Sequence, residues 1–208
     1  MRTIVLATTN PGKVREFGQL FAASGLSLHV IGLRDVGLEA PEETGTTFAE
    51  NALLKARHAA TATGHLAFAD DSGLEVDGLG GAPGVRSARY AGEGAGDAAN
   101  RQRLIAELGG VPEAARAGRF RCAIAIARPD GTAEVAEGSC EGVALTTPRG
   151  DNGFGYDPLF LLPQLGRTMA ELTSEEKNAI SHRARATAHA LPILRRMLGD
   201  TTMTATEG

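Results

Sequence analysis

The chain has 208 residues, of which 42% are hydrophobic and 22% charged, and its formal net charge at pH 7 is -4. This length is enough for one large domain or two small ones, and the composition is that of a soluble globular protein with a sizeable core. The slight acidity and the lack of a basic block disfavour a nucleic-acid polymer as the main partner, but they allow a small anionic ligand in a locally basic pocket.

Hydropathy and cysteine content indicate the cellular compartment. No apolar run reaches the ~18 residues of a membrane span, so no membrane partner is expected. The N-terminal stretch "MRTIVLATTN" lacks the cleavage site of an exported precursor. Two cysteines, Cys122 and Cys140, are too few for a disulfide framework. We therefore expect a cytoplasmic protein whose two thiols stay buried and reduced.

The first half of the chain alternates predicted strands and helices. The pattern predicts a strand at 3–8, an amphipathic helix in "GKVREFGQLFAASG", and a short strand at 28–31. After the acidic loop "EAPEETGTT", Thr47 and Glu50 have the spacing of a capping box, which predicts a helix over 48–63 that ends at Gly64. The next segment, "LAFADDSG", is predicted to be a strand that runs into an acidic turn.

The second half is dominated by a predicted hairpin. The glycine-dense segment "LEVDGLGGAPGVRSARYAGEGAG" predicts either an ordered loop or a flexible flap, and "DAANRQRLIAELGG" a helix. Hydrophobic alternation on both sides of Pro129-Asp130-Gly131 predicts a long antiparallel pair. The glycine-rich "TPRGDNGFGYDPLFLLP" leads to a short apolar strand, and Thr173 and Glu176 form a second capping box before a C-terminal helical region.

Neither an internal repeat nor a linker divides this pattern. We therefore predict a single domain over 1–199 and a polar C-terminal tail over 200–208. Alternating strands and helices followed by a hairpin predict the α/β class. The expected architecture is an elongated mixed β-sheet in two lobes flanked by helices, with an active-site cleft between the lobes.

The stretch "LATTNPGK" joins the first strand to the first helix and ends in a lysine. Backbone N–H groups at such a helix N-terminus can bind an anion, and Lys13 adds a positive charge. The stretch departs from the common phosphate-loop pattern, because Ala7 occupies the place of its first glycine and Val14 follows Lys13. An ordinary capped turn with a solvated lysine is the alternative.

Two acidic pairs, Glu42-Glu43 and Asp70-Asp71, would complement a phosphate site through a divalent cation, since Mg²⁺ takes one or two carboxylates plus substrate phosphates. A solvated loop is the alternative for the glutamate pair. The aspartates directly follow an apolar strand, where α/β proteins place ligands. If strand geometry persists there, neighbouring side chains point to opposite faces, and only one aspartate enters the pocket.

Two further segments, "GFGYDP" and "EEKNAISHR", carry groups suited to an anionic ligand. The glycines around Phe154 would let the backbone approach a ligand closely, and Lys177, His182 and Arg183 favour anions. The alternatives are a tight turn with Phe154 in the core and an exposed basic helix face.

Together these segments resemble the inosine triphosphate pyrophosphatases. The resemblance rests on five motifs that occur in the family's order: "LATTNPGKVREF", "EETGTTFAENALLKARHAA", "ADDSGLEVDGLGGAPGVRSARYAG", "GFGYDPLF" and "AELTSEEKNAISHR". It implies a mixed sheet in two lobes with the site in the cleft. It also implies a Mg²⁺-dependent homodimer that hydrolyses ITP, dITP and XTP to the monophosphate and pyrophosphate.

The resemblance also implies roles for individual residues. Asp71 would be the general base, supported by Asp70, and Glu43 and Asp71 would bind Mg²⁺, with Glu42 as the less favoured alternative to Glu43. Residues implied to bind the triphosphate, sugar or base are Thr8, Thr9, Asn10, Pro11, Gly12, Lys13, Lys55, Ser72, Phe154, Gly155, Tyr156, Asp157, Lys177, His182 and Arg183. Two rival functions stay open: a pyrophosphatase for modified pyrimidine or other nucleotides, and a non-enzymatic nucleotide-binding regulator.

Two geometric predictions follow. In a continuous helix, at about 100° per residue, Lys177 and His182 would point about 140° apart. Because both are assigned to one ligand, we predict a helix break near Ser181, a good N-cap residue. Cys122 and Cys140 lie at equal distances from Gly131, so they are predicted to face each other across the hairpin as free thiols.

Overall fold

The computed structural model describes residues 2–199, and the predicted tail lies outside that range. Within it, seven strands form one sheet: β1 (Arg2–Leu6), β2 (Leu28–Gly32), β3 (Leu66–Val76), β4 (Ala117–Ala127), β5 (Ala133–Ala144), β6 (Phe160–Leu162) and β7 (Arg167–Thr168). The strand order is β2-β1-β3-β4-β5-β6-β7. β1 is parallel to β2 and β3, and the other neighbours are antiparallel, so the prediction of a mixed sheet is confirmed.

Five α-helices flank the sheet in the described part of the chain: α1 (Pro11–Ala23), α2 (Phe48–Thr63), α3 (Asp97–Leu108), α4 (Ser174–Ile180) and α5 (His182–Leu198). Both predicted capping boxes are formed, at Thr47 with Glu50 and at Thr173 with Glu176. Gly64 ends α2 in the left-handed conformation, at φ 69°. None of these helices has the length and apolar character needed to cross a membrane.

The helices cover both faces of the sheet. α1 and α5 pack on one face, where the rings of Phe17, Phe21 and Phe68 lie 4.9 to 6.1 Å apart. α2 packs on the opposite face through alanines on both sides of the contact, and their small side chains bring the helix close to the sheet. The helix contributes Ala52, Ala56, Ala59 and Ala60, and the strands β3 and β4 contribute Ala67, Ala69, Ala123 and Ala125. A separate cluster joins α3 to the far end of β3 and β4, as expected for a second lobe.

The predicted acidic turn after the apolar part of β3 is wrong. β3 continues through Asp70 and Asp71 to Val76, and it pairs with β4 from Ala67↔Ala127 to Val76↔Gly118. Backbone hydrogen bonds to a long neighbouring strand outweigh the low strand propensity of aspartate and glycine. The two aspartates therefore lie in the middle of a strand and not beyond the end of the sheet.

The glycine-dense segment that follows is ordered, which decides between the two alternatives left open. Its first residues belong to β3, and 3-10 helices follow at Asp77–Leu79 and Gly84–Arg89. The buried Ser87 hydroxyl connects the parts, because it accepts from Leu74 N at 2.9 Å and donates to Gly84 O at 2.7 Å. This segment is therefore tied to the strand that carries the aspartates.

The long hairpin is confirmed, but the facing of the cysteines is wrong. Cys122 lies opposite Gly138, and Cys140 lies opposite Phe120. The paired residues of the hairpin are centred on Asp130 and not on Gly131, so the two cysteines do not lie opposite each other. Both cysteines are buried and neither forms a disulfide.

Thiol titration tests the predicted redox state. Burial, together with the negative charge of Asp70, raises the pKa of Cys122 to about 12. We therefore expect little reaction of Cys122 in the folded protein and two reactive groups per chain after unfolding without oxidant, measured with a chromogenic disulfide. A count of zero in freshly unfolded protein would contradict the prediction of reduced thiols.

The predicted break between Lys177 and His182 is confirmed. α4 ends at Ile180, and Ser181 has extended dihedral angles of φ -66° and ψ 155°. Its hydroxyl accepts from Ala184 N at 3.2 Å and so caps α5. The change of direction lets α4 and α5 contribute to one site.

Candidate active site

A cavity of about 260 Å³ lies beside the middle of β3, between α2, the start of α5 and the loop before β6. Most of the predicted site residues line it: Lys13, Glu43, Lys55, Asp71, Ser72, Phe154, Gly155, Tyr156, Asp157, His182 and Arg183. Lys177 lines an adjoining smaller cavity that shares Phe154, His182 and Arg183. The structure therefore brings together residues from five separate motifs.

Asp70 and Asp71 point to opposite faces of β3, as strand alternation predicts. Asp70 faces α1 and α5, and both its oxygens accept from Lys13 Nζ, at 2.9 and 2.8 Å. Arg183 Nη2 lies 3.7 Å from Asp70 Oδ2. Burial opposes ionisation of Asp70, but the Lys13 ammonium and the Arg183 guanidinium outweigh it and hold its pKa well below the usual value. Asp70 thus anchors two cations at the site.

Asp71 faces α2, where its environment is different. Its oxygens accept from Lys55 Nζ at 2.9 Å and from Asn51 Nδ2 at 3.2 Å. Burial raises the pKa of Asp71, the Lys55 ammonium opposes that effect, and the nearby Glu43 adds to it. The neighbouring carboxylates of one strand therefore have pKa values shifted in opposite directions, which is typical of groups with different chemical tasks.

Lys55 joins the acidic loop to β3. Its ammonium donates to Glu43 Oε1 and to Asp71 Oδ1, each at 2.9 Å. Arg89 Nη1 holds the other Glu43 oxygen at 2.9 Å. Burial opposes the charge on Glu43, yet Lys55 and Arg89 lower its pKa overall. Glu42, the alternative to Glu43, is exposed and does not line the cavity.

The carboxylates at this point are of the kind that hold a divalent cation. Carboxylate oxygens of Glu43 and Asp71 converge on the Lys55 ammonium, which reaches them from α2. Residues 2–199 contain no group of three or more histidine, cysteine and acidic side chains that could hold a metal by themselves. Two carboxylates fit a cation that takes its remaining ligands from substrate phosphates and water.

The turn before α1 is capped, as the alternative of an ordinary capped turn has it. Asn10 Oδ1 accepts from Gly12 N at 2.8 Å, and Asn10 N donates to Thr8 Oγ1 at 3.2 Å. Of this motif only Lys13 lines the cavity, whereas Thr8, Thr9, Asn10, Pro11 and Gly12 do not. The alternative of a solvated lysine is wrong, because the Lys13 ammonium is bound by the buried Asp70.

The "GFGYDP" motif forms a tight loop at the mouth of the cavity. Asp157 Oδ2 accepts from Phe154 N at 2.9 Å and from Lys177 Nζ at 2.5 Å. Gly153 has φ 80°, and a Cβ there would lie 2.0 Å from Asp157 Oδ2, so glycine is required. The Phe154 ring is 56% exposed and lies 4.8 Å from Lys177 Nζ and 5.5 Å from Arg183 Cζ. The core position considered for Phe154 is therefore wrong.

His182 is buried at the start of α5 and stacks on Phe120, with ring centroids 4.9 Å apart. Burial, aided by the positive charges of Arg183 and Lys177, lowers its pKa to about 3, so the ring is neutral at pH 7. Its Nδ1 has no hydrogen-bond partner among the described residues. A buried polar atom without a partner costs about 1–3 kcal/mol, which a polar ligand in the cavity would recover.

A sequence model described as the Ham1 family matches residues 4–193. This chain belongs to the Ham1 family. The dITP/XTP pyrophosphatase of Desulforamulus reducens is 54% identical, over 93% of this chain and 96% of the relative. The dITP/XTP pyrophosphatase of Yersinia pseudotuberculosis is also 54% identical, over 94% and 99%. The structure of a HAM1 protein from Coxiella burnetii is 43% identical with a TM-score of 0.86, over 97% of this chain and 100% of the other.

These similarities confirm the recognised family and the predicted fold class. The family model's match over residues 4–193 covers all five motifs, and the TM-score of 0.86 to the HAM1 protein structure indicates the same fold.

Sequence reasoning missed several residues of the site: Asn51, Gly73, Val85, Ser87, Ala88, Arg89, Asp97, Asn100 and Phe120. Asn51 carried a usable signal, because it precedes Lys55 by one helical turn and so faces the same side of α2. Gly73 carried none. A Cβ on Gly73 would lie 2.3 Å from Ser87 Oγ, a clash that arises only from tertiary packing.

Proposed function

We propose that this protein hydrolyses ITP, dITP and XTP to the nucleoside monophosphate and pyrophosphate, and thereby removes them from the nucleotide pool. The proposal rests on two clusters of charged side chains that lie on opposite faces of β3. Asp70 anchors Lys13 and Arg183 on one side, and Glu43, Lys55 and Asp71 meet on the other. The relatives' name, dITP/XTP pyrophosphatase, supports the same reaction.

The cations of the site would bind the triphosphate. Lys13 and Lys55 line one cavity and carry positive charge. The N-terminus of α1 follows the turn from Thr8 to Gly12, and its partial positive charge would add to the attraction for the triphosphate. The N–H groups of Asn10 and Gly12 donate within the turn, so they would reach a phosphate only if those two bonds opened. Pairing with Asp70 orients Lys13 before the substrate arrives, so less side-chain freedom is lost on binding.

Asp71 would be the general base that takes a proton from the attacking water. Its raised pKa makes it a stronger base than an ordinary aspartate, and Lys55 and Asn51 hold its orientation. Mg²⁺ bound by Glu43 and Asp71 would neutralise the negative charge that develops on the leaving pyrophosphate. Direct attack by water is the simplest mechanism, because the cavity lining contains no serine or cysteine paired with a base.

His182 and Arg183 would read the purine edge, beside Phe154 and Ser72. Arg183 is a donor, and the neutral His182 ring carries one N–H. The C6 oxygen of a purine can accept hydrogen bonds from both side chains. The C6 amino group of adenine is itself a donor, so it cannot accept from them. Asp157 and Lys177 would fix the loop that carries Phe154, Gly155 and Tyr156 over the base and sugar.

Selectivity is the first test of this proposal. We expect kcat/KM with Mg²⁺ to be higher for ITP and XTP than for ATP by about 10²–10⁴-fold, because a mismatched base leaves buried polar groups unpaired. GTP keeps the C6 oxygen, so its rejection has to come from its C2 amino group. Equal turnover of ATP, GTP and ITP would refute the selective removal of ITP, dITP and XTP, while leaving the pyrophosphatase chemistry possible.

Product analysis separates the rival functions. Release of pyrophosphate from purine nucleotides supports the proposal, and a preference for modified pyrimidine nucleotides supports the first rival. Binding without release of pyrophosphate or orthophosphate supports a non-enzymatic regulator. The carboxylates of Glu43 and Asp71 disfavour the regulator, because they would repel a triphosphate unless a metal ion were present.

We further propose that the protein is a cytoplasmic homodimer, as the family resemblance implies. The buried, unpaired state of Cys122 and Cys140 fits a reducing compartment. Light scattering coupled to size-exclusion chromatography measures the subunit number. A mass of one chain at micromolar concentration would contradict the dimer.

A further inference from the structure

The loop at the mouth of the cavity is bound by two side chains of α3. Asp97 Oδ2 accepts from Gly155 N at 2.7 Å, and Arg101 Nη1 donates to Gly155 O at 2.8 Å. Both backbone polar groups of one residue are thus bound by two side chains of one helix. Gly155 directly follows Phe154, the exposed ring at the mouth of the cavity.

Packing and hydrogen bonds fix the position of α3, which makes these two contacts. Leu104 and Leu108 are fully buried in the core. The buried Asn100 accepts from Ala91 N at 2.8 Å and donates to Ala88 O at 3.1 Å. α3 is therefore fixed to the segment that lines the opposite side of the cavity.

Asp97 and Arg101 are one turn apart on α3, with opposite charges on the same side of the helix. Asp97 lies in the first turn, where a carboxylate is stabilised by the helix dipole. Their hydrogen bonds to the loop are charge-assisted and so stronger than bonds between neutral groups.

We propose that Asp97 and Arg101 are positioning residues that clamp Gly155 and thereby hold Phe154 in place to receive the nucleotide. This role rests on the proposed function, and it adds α3 as the element that sets the loop. Arg101 is the decisive member. Asp97 lines the cavity, but Arg101 does not, so the contact through which Arg101 would act on the nucleotide is the one with the loop.

The chain contains no tryptophan, which allows a direct measurement of the loop. Phe154→Trp places a single tryptophan next to the clamped Gly155, and excitation at the red edge of the absorption band avoids the two tyrosines. We expect Arg101→Ala and Asp97→Ala, each in this background and without nucleotide, to lower the fluorescence anisotropy of Trp at position 154. Asp97→Asn keeps an oxygen acceptor for Gly155 N and should preserve the anisotropy. Gln102→Ala, at an exposed neighbour on α3, is the matched control.

Kinetics in the chain with Phe154 intact supply the second readout. Arg101→Ala and Asp97→Ala should raise KM for ITP about 10-fold, as expected for loss of a charge-assisted hydrogen bond, with kcat changed much less. Asp97→Asn should restore KM, and thermal melting should show that every variant is folded.

Two results would overturn the clamp. One is unchanged anisotropy in Arg101→Ala, and the other is an unchanged KM for ITP in both alanine variants. Because anisotropy is measured without substrate, it also separates the two proposals. A wild-type protein that does not hydrolyse ITP would refute the proposed function, while the anisotropy would still decide whether α3 holds the loop.

Discussion

Asp71→Asn is expected to reduce kcat for ITP by about 10²–10⁴-fold, the usual contribution of a general base. The substitution keeps the size of the side chain and an oxygen that can accept from Lys55. It removes the basic lone pair and one of the two carboxylates that converge on the Lys55 ammonium. Loss of a metal ligand would add to the effect.

The measurement pairs steady-state pyrophosphate release with thermal melting. Asp151→Asn is a suitable control, because Asp151 is exposed and does not line the cavity. Both variants should melt within a few degrees of the wild type, and only Asp71→Asn should lose activity. A rate for Asp71→Asn within a few-fold of the wild type would remove Asp71 from the mechanism.

Asp70→Asn is expected to lower the free energy of unfolding at pH 7 by about 3 kcal/mol. It removes the negative charge between the Lys13 ammonium and the Arg183 guanidinium, and breaking a buried ion pair costs about 3–5 kcal/mol. The Asp70 side chain is 2% exposed, whereas that of Lys13 is 27% exposed, so partial hydration of Lys13 places the effect at the low end.

The same variant predicts a pH dependence. The pKa of Asp70 is lower in the folded than in the unfolded protein, so the carboxylate stabilises the fold above the unfolded pKa of about 3.9. That contribution is lost as the pH falls towards the folded pKa. The difference between wild type and Asp70→Asn should therefore be constant from neutral pH to about pH 5 and should shrink below about pH 4.

Urea unfolding at several pH values measures this difference. The exposed Asp151→Asn variant again serves as the control, and it should unfold with the wild type at every pH. A difference between wild type and Asp70→Asn that does not change between pH 7 and pH 3 would show that Asp70 stabilises the fold without its charge.

Local features of the fold could be predicted because the groups that cause them are close in the sequence. The capping boxes at Thr47 and Thr173 each satisfy backbone N–H groups within four residues, and Gly64 ends α2 through its own dihedral freedom. The opposite facing of Asp70 and Asp71 follows from strand geometry alone. The break at Ser181 could be inferred because two residues assigned to one ligand could not share a continuous helix.

The tertiary structure decided features that depend on pairing between distant segments. The extension of β3 through the aspartates depends on β4, and the position of each cysteine depends on where the hairpin turns. The meeting of Glu43, Lys55 and Asp71 at one point depends on how closely α2 packs on its alanine layer.

Sequence by itself therefore determined the family, the types of most elements and most of the residues that line the site. Only the tertiary structure decided the partners of those residues: Asp70 for Lys13, Lys55 for two acids, and α3 for the Gly155 loop. The physical reason is that capping and alternation are local interactions. The charge on a buried side chain, in contrast, is set by groups that come within 3 to 4 Å only after the sheet and helices have packed.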